Sequence, residues 1–381
     1  SNLAPNTTTS LMAGIGIVTV IVVVYILLLS SLYFRGYPNE RLSYALSDQT
    51  NNNQSSSISI LNKKGLDLLS SASYNQAIIY FDKALAINST DATALNNKGF
   101  ALMQLGKYND AITNFDKALA IEPNDATALN NKGFALYSLG KYNDAVGYYD
   151  KAISKRPNYA TALNNKGLAL NDLGNYTGAI TYYDKSLAIR PNDSTTLDNK
   201  AFSLRQLGRD NEAVTYYDKA IAIDSSNTKP LNGKGVALMN LGKYNDAITY
   251  FDKAIDIDPN DAVILNDKGF ALYSLGKYND AISFYDKAIA IEPNDTTALN
   301  NKGLALLKLG NNAEAITYID KALAIDPNDA ESLNSKGVVL VNLEKYYEAI
   351  KYIDKALAIR PNYATALDNK NKILDLLGKQ K

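Results

Sequence analysis

The sequence predicts an all-α solenoid, a stack of helix-turn-helix repeats preceded by one long hydrophobic α-helix. Three observations predict it. Lys residues recur at a fixed step of 34 residues, apolar residues recur at helical spacing within each step, and Gly and Pro end the helices. A globule gives each position a different environment, so only a stacked array returns one side chain to the same environment. The Lys series comprises Lys64, Lys98, Lys132, Lys166, Lys200, Lys234, Lys268, Lys302 and Lys336.

Charge and composition limit the partners and the chemistry. Lys plus Arg and Asp plus Glu both number 39, so the formal net charge is +0. This balance argues against nucleic acid, which requires a basic excess. The chain has no Cys and no His, which excludes disulfides, thiol chemistry and imidazole metal sites. We therefore expect no cofactor and no metal.

The N-terminal region contains the hydrophobic helix. A polar tail covers residues 1–10, and residues 11–34 contain no charged side chain. About 20 apolar residues suffice to cross a bilayer as a helix, and Arg35 follows an aromatic pair in the manner of a membrane border. We expect this segment to be buried in lipid or in an equivalent apolar environment; a buried core helix is the alternative. A cleaved secretory signal fits less well, because no basic stretch precedes the segment.

A linker is predicted over residues 35–57. It contains Pro38 and a run of Ser, Asn and Gln that is too polar to bury a core. We expect this segment to be flexible or extended.

Nine repeats are predicted over residues 58–363. In the second, Leu95, Leu102 and their neighbours recur at helical spacing until Gly106 ends the first helix. A second helix follows and ends before Pro123, and Asp125 is placed to cap the next helix. Residues 364–381 form half a repeat, which we expect to be a capping helix with a polar outer face. The repeats start at Ile58, Ala92, Ala126, Ala160, Ser194, Thr228, Ala262, Thr296 and Ala330.

A repeated set of small and aromatic residues identifies the family that this chain resembles. Gly99, Ala111, Phe115, Ala118 and Pro123 occupy set positions of one unit, and the same set returns along the chain. This pattern resembles the tetratricopeptide repeat (TPR) family from residue 58 to the C-terminus, with Leu where the family often has Trp. The resemblance implies a right-handed superhelical solenoid.

The resemblance also implies a function in protein binding rather than catalysis. TPR proteins bind extended peptides or helices in a concave groove lined by the first helix of each repeat. Asn there could bond a ligand backbone and apolar residues could hold its side chains; packing between repeats is the alternative for the Phe and Leu residues. The Lys/Asn/Arg carboxylate clamp of the family is missing. The predicted groove residues are Asn96, Phe100, Met103, Asn130, Phe134, Tyr137, Asn164, Asn232, Asn266, Phe270, Tyr273 and Asn300.

A second ladder, of Asp residues, accompanies the Lys series. Acid/base catalysis by these carboxylates is disfavoured, because a 34-residue step places neighbours on different repeats. We predict ion pairs between helices or solvated faces, and no catalytic residue. The series comprises Asp82, Asp116, Asp150, Asp184, Asp218, Asp252, Asp286, Asp320 and Asp354.

Two further features are local. The fifth repeat departs from the pattern, with Ala201 for Gly, Asp210 for Tyr and Ser225 for Pro, which indicates sequence drift or, alternatively, a bend or contact site.

Glycosylation motifs of the form Asn-x-Ser/Thr also occur, although this composition produces several by chance. Their acceptors are Asn6, Asn53, Asn88, Asn175, Asn192 and Asn294.

Two hypotheses describe the whole molecule. The favoured one is a subunit of a surface filament, because Gly14-Ile15-Gly16 and the following β-branched run weakly resemble the N-terminal helix of archaeal pilins and archaellins. Such helices bundle in the filament core and carry the rest outside, so the partners are copies of this chain. The alternative is a single-pass membrane scaffold that recruits other proteins. Arg35 and Arg41 would then place its repeats in the cytoplasm by the positive-inside rule.

Overall fold

The computed structural model describes residues 40–379, which form 19 α-helices and no strand. They divide into two compact units between Gly106 and Lys107. The first unit contains α1 (Glu40–Ser70), α2 (Tyr74–Ile87) and α3 (Ala92–Gln104). The second contains α4 (Tyr108–Ile121), α5 (Ala126–Ser138), α6 (Tyr142–Lys155), α7 (Ala160–Asp172), α8 (Tyr176–Ile189), α9 (Ser194–Gln206), α10 (Asp210–Ile223), α11 (Thr228–Asn240), α12 (Tyr244–Ile257), α13 (Ala262–Ser274), α14 (Tyr278–Ile291), α15 (Thr296–Lys308), α16 (Asn312–Ile325), α17 (Ala330–Asn342), α18 (Tyr346–Ile359) and α19 (Ala364–Lys379).

The first unit corrects the linker prediction. Helix α1 is 31 residues long and begins at Glu40, so residues 40–57 are helical rather than extended. No Gly or Pro lies between residues 40 and 64, and the polar run therefore continues the helix that packs on α2. The predicted tail and the apolar helix at residues 11–34 lie outside the described residues. Within residues 40–379, no helix is long and apolar enough to cross a membrane.

The second unit is a regular stack. From α5 to α19 each helix packs on the next in the chain, and the first helices of neighbouring repeats also touch. First helices are 13 residues long from α3 to α17, and second helices are 14 residues long from α2 to α18. This alternation confirms the predicted all-α stack of helix-turn-helix repeats.

Short polar and glycine signals set the helix ends. Asp125 precedes α5 and its carboxylate accepts from the backbone N–H of Thr127 at 2.8 Å, which satisfies a donor that the helix leaves free. At the other end of α5, Gly140 has φ +74° and Lys141 donates to the carbonyl of Leu136 at 3.0 Å. Glycine reaches this left-handed conformation without strain from a Cβ atom, so the chain turns directly into α6.

A close contact between glycine and an aromatic ring forms the core of most repeats. A Cβ atom on Gly269 would lie 2.6 Å from Cε1 of Tyr285, so only Gly allows the first helix to approach the ring. Ala281 and Ala288 flank the same ring on α14, and all three residues of that helix are fully buried. This packing explains why the Gly, the aromatic and the two Ala residues recur together.

The Lys and Asp ladders form ion pairs between repeats, as predicted. Lys302, on α15, donates to Asp286 of the preceding repeat at 2.5 Å. Its Nζ also lies 3.8 Å from the centre of the Tyr318 ring in its own repeat. The aliphatic stem of Lys302 is buried between two second helices while Asp286 stays half-exposed, whereas Lys98 and Lys370, in the first and last rungs, are more exposed. The rungs join Lys98–Asp82, Lys132–Asp116, Lys166–Asp150, Lys200–Asp184, Lys234–Asp218, Lys268–Asp252, Lys302–Asp286, Lys336–Asp320 and Lys370–Asp354.

Replacing Lys302 with Met is expected to lower the free energy of unfolding by about 1 kcal/mol at pH 7, because a charged hydrogen bond to a half-exposed partner is lost. Burial acts to lower the pKa of Lys302, but hydrogen bonds to Asp286 and Tyr318 outweigh it and the net pKa is raised above 10.5. A raised folded-state pKa stabilises the protein below pH 10.5, and the contribution is lost as pH rises through the folded value. In denaturant titrations the difference between the two proteins should therefore begin to shrink as pH rises past 10.5 and disappear once pH exceeds the folded-state pKa.

Lys64 provides the matched control for this prediction. It occupies the same repeat position, but its side chain is exposed and its Nζ lies 5.7 Å from the Tyr80 ring centre. Lys64→Met should leave the unfolding free energy within about 0.5 kcal/mol of the wild type. Equal effects at both positions would contradict the role assigned to the buried rung.

The last full repeat has a strained turn. Glu344 has φ +59° where the preceding repeat has Gly310 at φ +83°. A left-handed conformation costs a residue with a Cβ atom about 1–2 kcal/mol. We expect Glu344→Gly to stabilise the protein by about 1 kcal/mol and Gly310→Ala to destabilise it by a similar amount, both measured by chemical denaturation. An unchanged midpoint for both variants would show that this turn relaxes freely.

The predicted capping helix α19 exposes two Leu side chains beside its polar residues. Its inner face buries Ile373, but Leu367 and Leu374 are 43% and 46% exposed. Internal repeats bury Leu at these two positions under their own second helix, as Leu333 and Leu340 show. No second helix follows α19 within the described residues, and the two Leu side chains lie among exposed polar residues such as Asp368 and Lys372. The capping role of α19 stays a prediction.

Candidate functional site

The predicted groove residues occupy matching positions on the first helices of both units. We call the side of a first helix that carries its fifth, sixth, ninth and twelfth residues the first-helix face of that helix, and each unit is considered by itself. Asn96, Asn130, Asn266 and Asn300 are buried there, and Met103 is also buried. The remaining predicted residues are partly or fully accessible: Phe100, Phe134, Tyr137, Asn164, Asn232, Phe270 and Tyr273.

Amide side chains link neighbouring repeats along this face. Asn165 donates from Nδ2 to Oδ1 of Asn130 in the preceding repeat at 3.1 Å, and Asn301 donates to Asn266 at 3.0 Å. Asn199 to Asn164 and Asn369 to Asn334 repeat the bond. The acceptor oxygens of several predicted groove Asn residues are thus occupied by the next repeat. Sequence reasoning missed this role, although the recurring Asn-Asn pair carried the signal.

The amide series is interrupted where the sixth residue changes. Asn300 faces a repeat that has Ser335 at this position, and its buried Oδ1 has no hydrogen-bond partner among the described residues. Asn232 bonds Asp267 instead of another Asn, and its Oδ1 is likewise unpartnered. Burial raises the pKa of Asp267 to about 6, against the lowering effect of Asn232 and Arg205.

The irregular fifth repeat rearranges one aromatic side chain. Ala201 takes the place of the usual Gly, and the Tyr217 ring lies against Gly233 of the following repeat. A Cβ atom on Gly233 would meet Cε1 of Tyr217 at 2.5 Å. Asp198 has no amide opposite it there, and burial raises its pKa to about 6. The change from Gly to Ala at position 201 is thus accompanied by Gly233 in the next repeat, which makes room for the Tyr217 ring.

Two matching aromatic clusters mark the accessible part of the first-helix face. In the third repeat, the Tyr137 ring centre lies 6.1 Å from that of Phe134 and 5.3 Å from that of Tyr142. Four repeats later Phe270, Tyr273 and Tyr278 repeat this arrangement, with centre distances of 6.3 and 5.4 Å.

The two clusters differ in their surroundings. The Tyr137 hydroxyl donates to Asp172 at 2.5 Å, while the corresponding position beside the second cluster is Lys308. Phe270 is 43% exposed, which leaves an aromatic surface open to a partner.

The predicted glycosylation acceptors are surface residues where they can be assessed. Asn88, Asn175, Asn192 and Asn294 are exposed, and the Asn175 side chain also accepts from the backbone N–H of Gly178. Asn53 lies within α1, and Asn6 is outside the described residues. Their modification stays a prediction.

The acidic side chains of the described residues are spread over separate repeats. No three of these side chains are placed to hold a metal ion. The ladder Asp residues lie on separate repeats and each pairs with a Lys, as in Asp286–Lys302. The arrangement is suited to binding side chains and backbone groups of another polypeptide.

Comparison with protein families identifies the repeats. A tetratricopeptide repeat model matches residues 130–194, 266–330 and 300–364. Other models of the same repeat match residues 80–113, 99–140, 194–223 and 229–261. Together they account for most of residues 80–364. No curated protein matches the chain.

Solved structures share the architecture at low sequence identity. The APC/C hetero-tetramer Cut9–Hcn1 contains a chain that is 17% identical with a TM-score of 0.56, over 83% of this chain and 76% of that one. A TPR protein of Parabacteroides merdae is 19% identical with a TM-score of 0.57, over 65% and 98%. The pilF protein of Pseudomonas aeruginosa is 22% identical with a TM-score of 0.50, over 55% and 95%. These similarities establish the fold.

Proposed function

We propose that this chain, which belongs to the tetratricopeptide repeat family, is a non-enzymatic scaffold that binds other proteins through its first-helix face. TPR proteins mediate protein–protein interaction or assembly, and their fold is typically a scaffold. The observation that supports the proposal best is the pair of matching aromatic clusters around Tyr137 and Tyr273. Aromatic side chains offer large contact area at low entropic cost, which suits them to anchor a partner.

The proposal predicts which substitutions abolish binding. Peptides selected from a displayed random library on the purified protein should bind at least tenfold more weakly when Phe134, Tyr137, Phe270 and Tyr273 are all replaced with Ala. The matched control replaces the half-exposed Ile121 and Ile257, at the ends of second helices, with Ala. Binding that survives the first variant and is lost in the second would place the partner surface elsewhere.

We further propose that the scaffold is mounted in a surface filament, with residues 11–34 of many copies in its core. The support is the uncharged 24-residue segment and the near-identity of the repeats, which favours periodic assembly over one short peptide. Negative-stain micrographs of the purified protein should show long fibres with regular subunits. Detergent-dependent monomers would contradict assembly.

A single-pass membrane anchor is the second candidate, supported by the same apolar segment and by Arg35 and Arg41 after it. The two candidates differ in where the repeats lie. Protease added to intact cells should digest them if they are at the cell surface, whereas cytoplasmic repeats should survive.

A further inference from the structure

A small cavity opens on the first-helix face at the C-terminal end of the repeats. Val338, Val341 and Ile373 line it, and Asn369 and Lys372 stand at its rim. Its volume is about 180 Å³. An apolar cavity of about 150 Å³ is large enough to admit benzene, so this one can accept an aliphatic side chain.

The cavity exists because the last full repeat carries small residues at the ninth and twelfth positions. Other repeats place larger pairs there, such as Phe134 with Tyr137 and Phe270 with Tyr273. Val338 and Val341 are the smallest such pair, and their side chains leave the space open. The floor is Ile373, which is buried.

The rim of the cavity carries an ion pair between Lys372 and Asp368. Lys372 is the ninth residue of α19, a position at which most repeats have an apolar residue. Its Nζ pairs with Asp368 at 2.5 Å. Both side chains are about two-thirds exposed, and such exposed pairs are weak, so Lys372 can exchange Asp368 for another carboxylate. Asn369 already donates to Asn334 at 2.9 Å and helps to hold α19 in place.

We propose that this cavity binds an aliphatic side chain of a partner polypeptide that is followed by an acidic residue. The aliphatic side chain fills the space between Val338, Val341 and Ile373, and the carboxylate pairs with Lys372. The inference rests on the proposed scaffold function and specifies one anchor of the partner. The site differs from the aromatic clusters, which lie on other repeats.

The test uses two capped dipeptides, Ac-Leu-Asp-NH2 and Ac-Leu-Asn-NH2, and methyl NMR of the purified protein. Both should shift the methyl signals of Val338, Val341 and Ile373, with dissociation constants on the order of millimolar. The acidic probe should bind about two- to fivefold more tightly, the effect of one exposed charge pair. Lys372→Gln should abolish this preference and keep the shared binding.

A cavity-filling variant provides the second arm. Val341→Tyr introduces the side chain that Tyr137 and Tyr273 already place at this position, so the fold should be retained while both probes lose binding. Met239→Tyr makes the same change in the sixth repeat and should leave binding unchanged. Absent shifts in the folded wild type, equal binding to Val341→Tyr, or an acidic preference that survives Lys372→Gln would each overturn the proposal. Peptides selected on the aromatic clusters would still bind in those cases, so failure here is separable from failure of the scaffold function.

Discussion

Gly233→Asn is expected to destabilise the protein by about 2–3 kcal/mol, although Asn is the residue most common at this position in the other repeats. The reason is the displaced ring of Tyr217, whose Cε1 lies 2.5 Å from where the new Cβ atom would be. The ring cannot retreat, because Ala201 has replaced the glycine that makes room for an aromatic ring in repeats such as the seventh, where Gly269 faces Tyr285. Guanidinium denaturation followed by circular dichroism measures the loss.

A double variant tests whether the loss of stability comes from the clash with the Tyr217 ring or from any substitution at position 233. Ala201→Gly restores the space beside α9, so Tyr217 can return to its own repeat and the introduced amide can bond Asp198. Combined with Gly233→Asn, it should recover most of the lost stability. The two changes are therefore expected to be strongly non-additive, as contacting residues are. Additive effects would show that the two positions do not share one ring.

Phe251→Ala is expected to cost about 3–5 kcal/mol, the range for truncating a buried Phe. Phe251 is fully buried on α12, and its ring contacts the position where a Cβ atom on Gly235 would lie, at 2.4 Å. The cavity left behind would lie among Leu231, Leu238 and Ile264, which share one core cluster with Phe251. A repeat depends on its neighbours, so the loss should weaken the stack on both sides.

Phe270→Ala is the matched control, because this Phe is 43% exposed on the first-helix face. Its truncation removes about half as much buried area as that of Phe251 and should cost about half as much, on the order of 2 kcal/mol. The two Phe variants can be compared in one set of denaturation curves. Similar losses would mean that the burial of Phe251 does not determine stability here.

The repeat period and its helix ends were readable from the sequence, because each relies on short-range signals. The recurring Gly, Ala, aromatic and Pro positions predict the stack, and the Lys–Asp pairing follows from two ladders of opposite charge. The helical state of residues 40–57 was not readable, since a polar run that is weak in isolation is extended by the helix it joins. The exposure of Leu367 on α19 also escaped prediction, because a Leu at this position is buried in internal repeats, as Leu333 is.

The candidate site was predicted only in outline. Residue type placed Phe134, Tyr137, Phe270 and Tyr273 on the first-helix face, but it could not show that Asn130 and Asn266 bond the next repeat. The cavity beside Val341 could not be predicted from the sequence, because it is a space between side chains of two neighbouring repeats. Contacts between repeats decide these features, and they join residues that are 28 to 35 positions apart in the chain.

The exchange between Ala201 and Gly233 also bears on how such a gene changes length. Near-identical repeats promote unequal recombination, which adds or deletes whole repeats. A deletion that removed the sixth repeat would join Ala201 to a unit with Asp267 at the position of Gly233, and the Tyr217 ring would have no place. The fifth and sixth repeats are therefore expected to be inherited together as a block of 68 residues. Variation in repeat number should be confined to the regular units on either side.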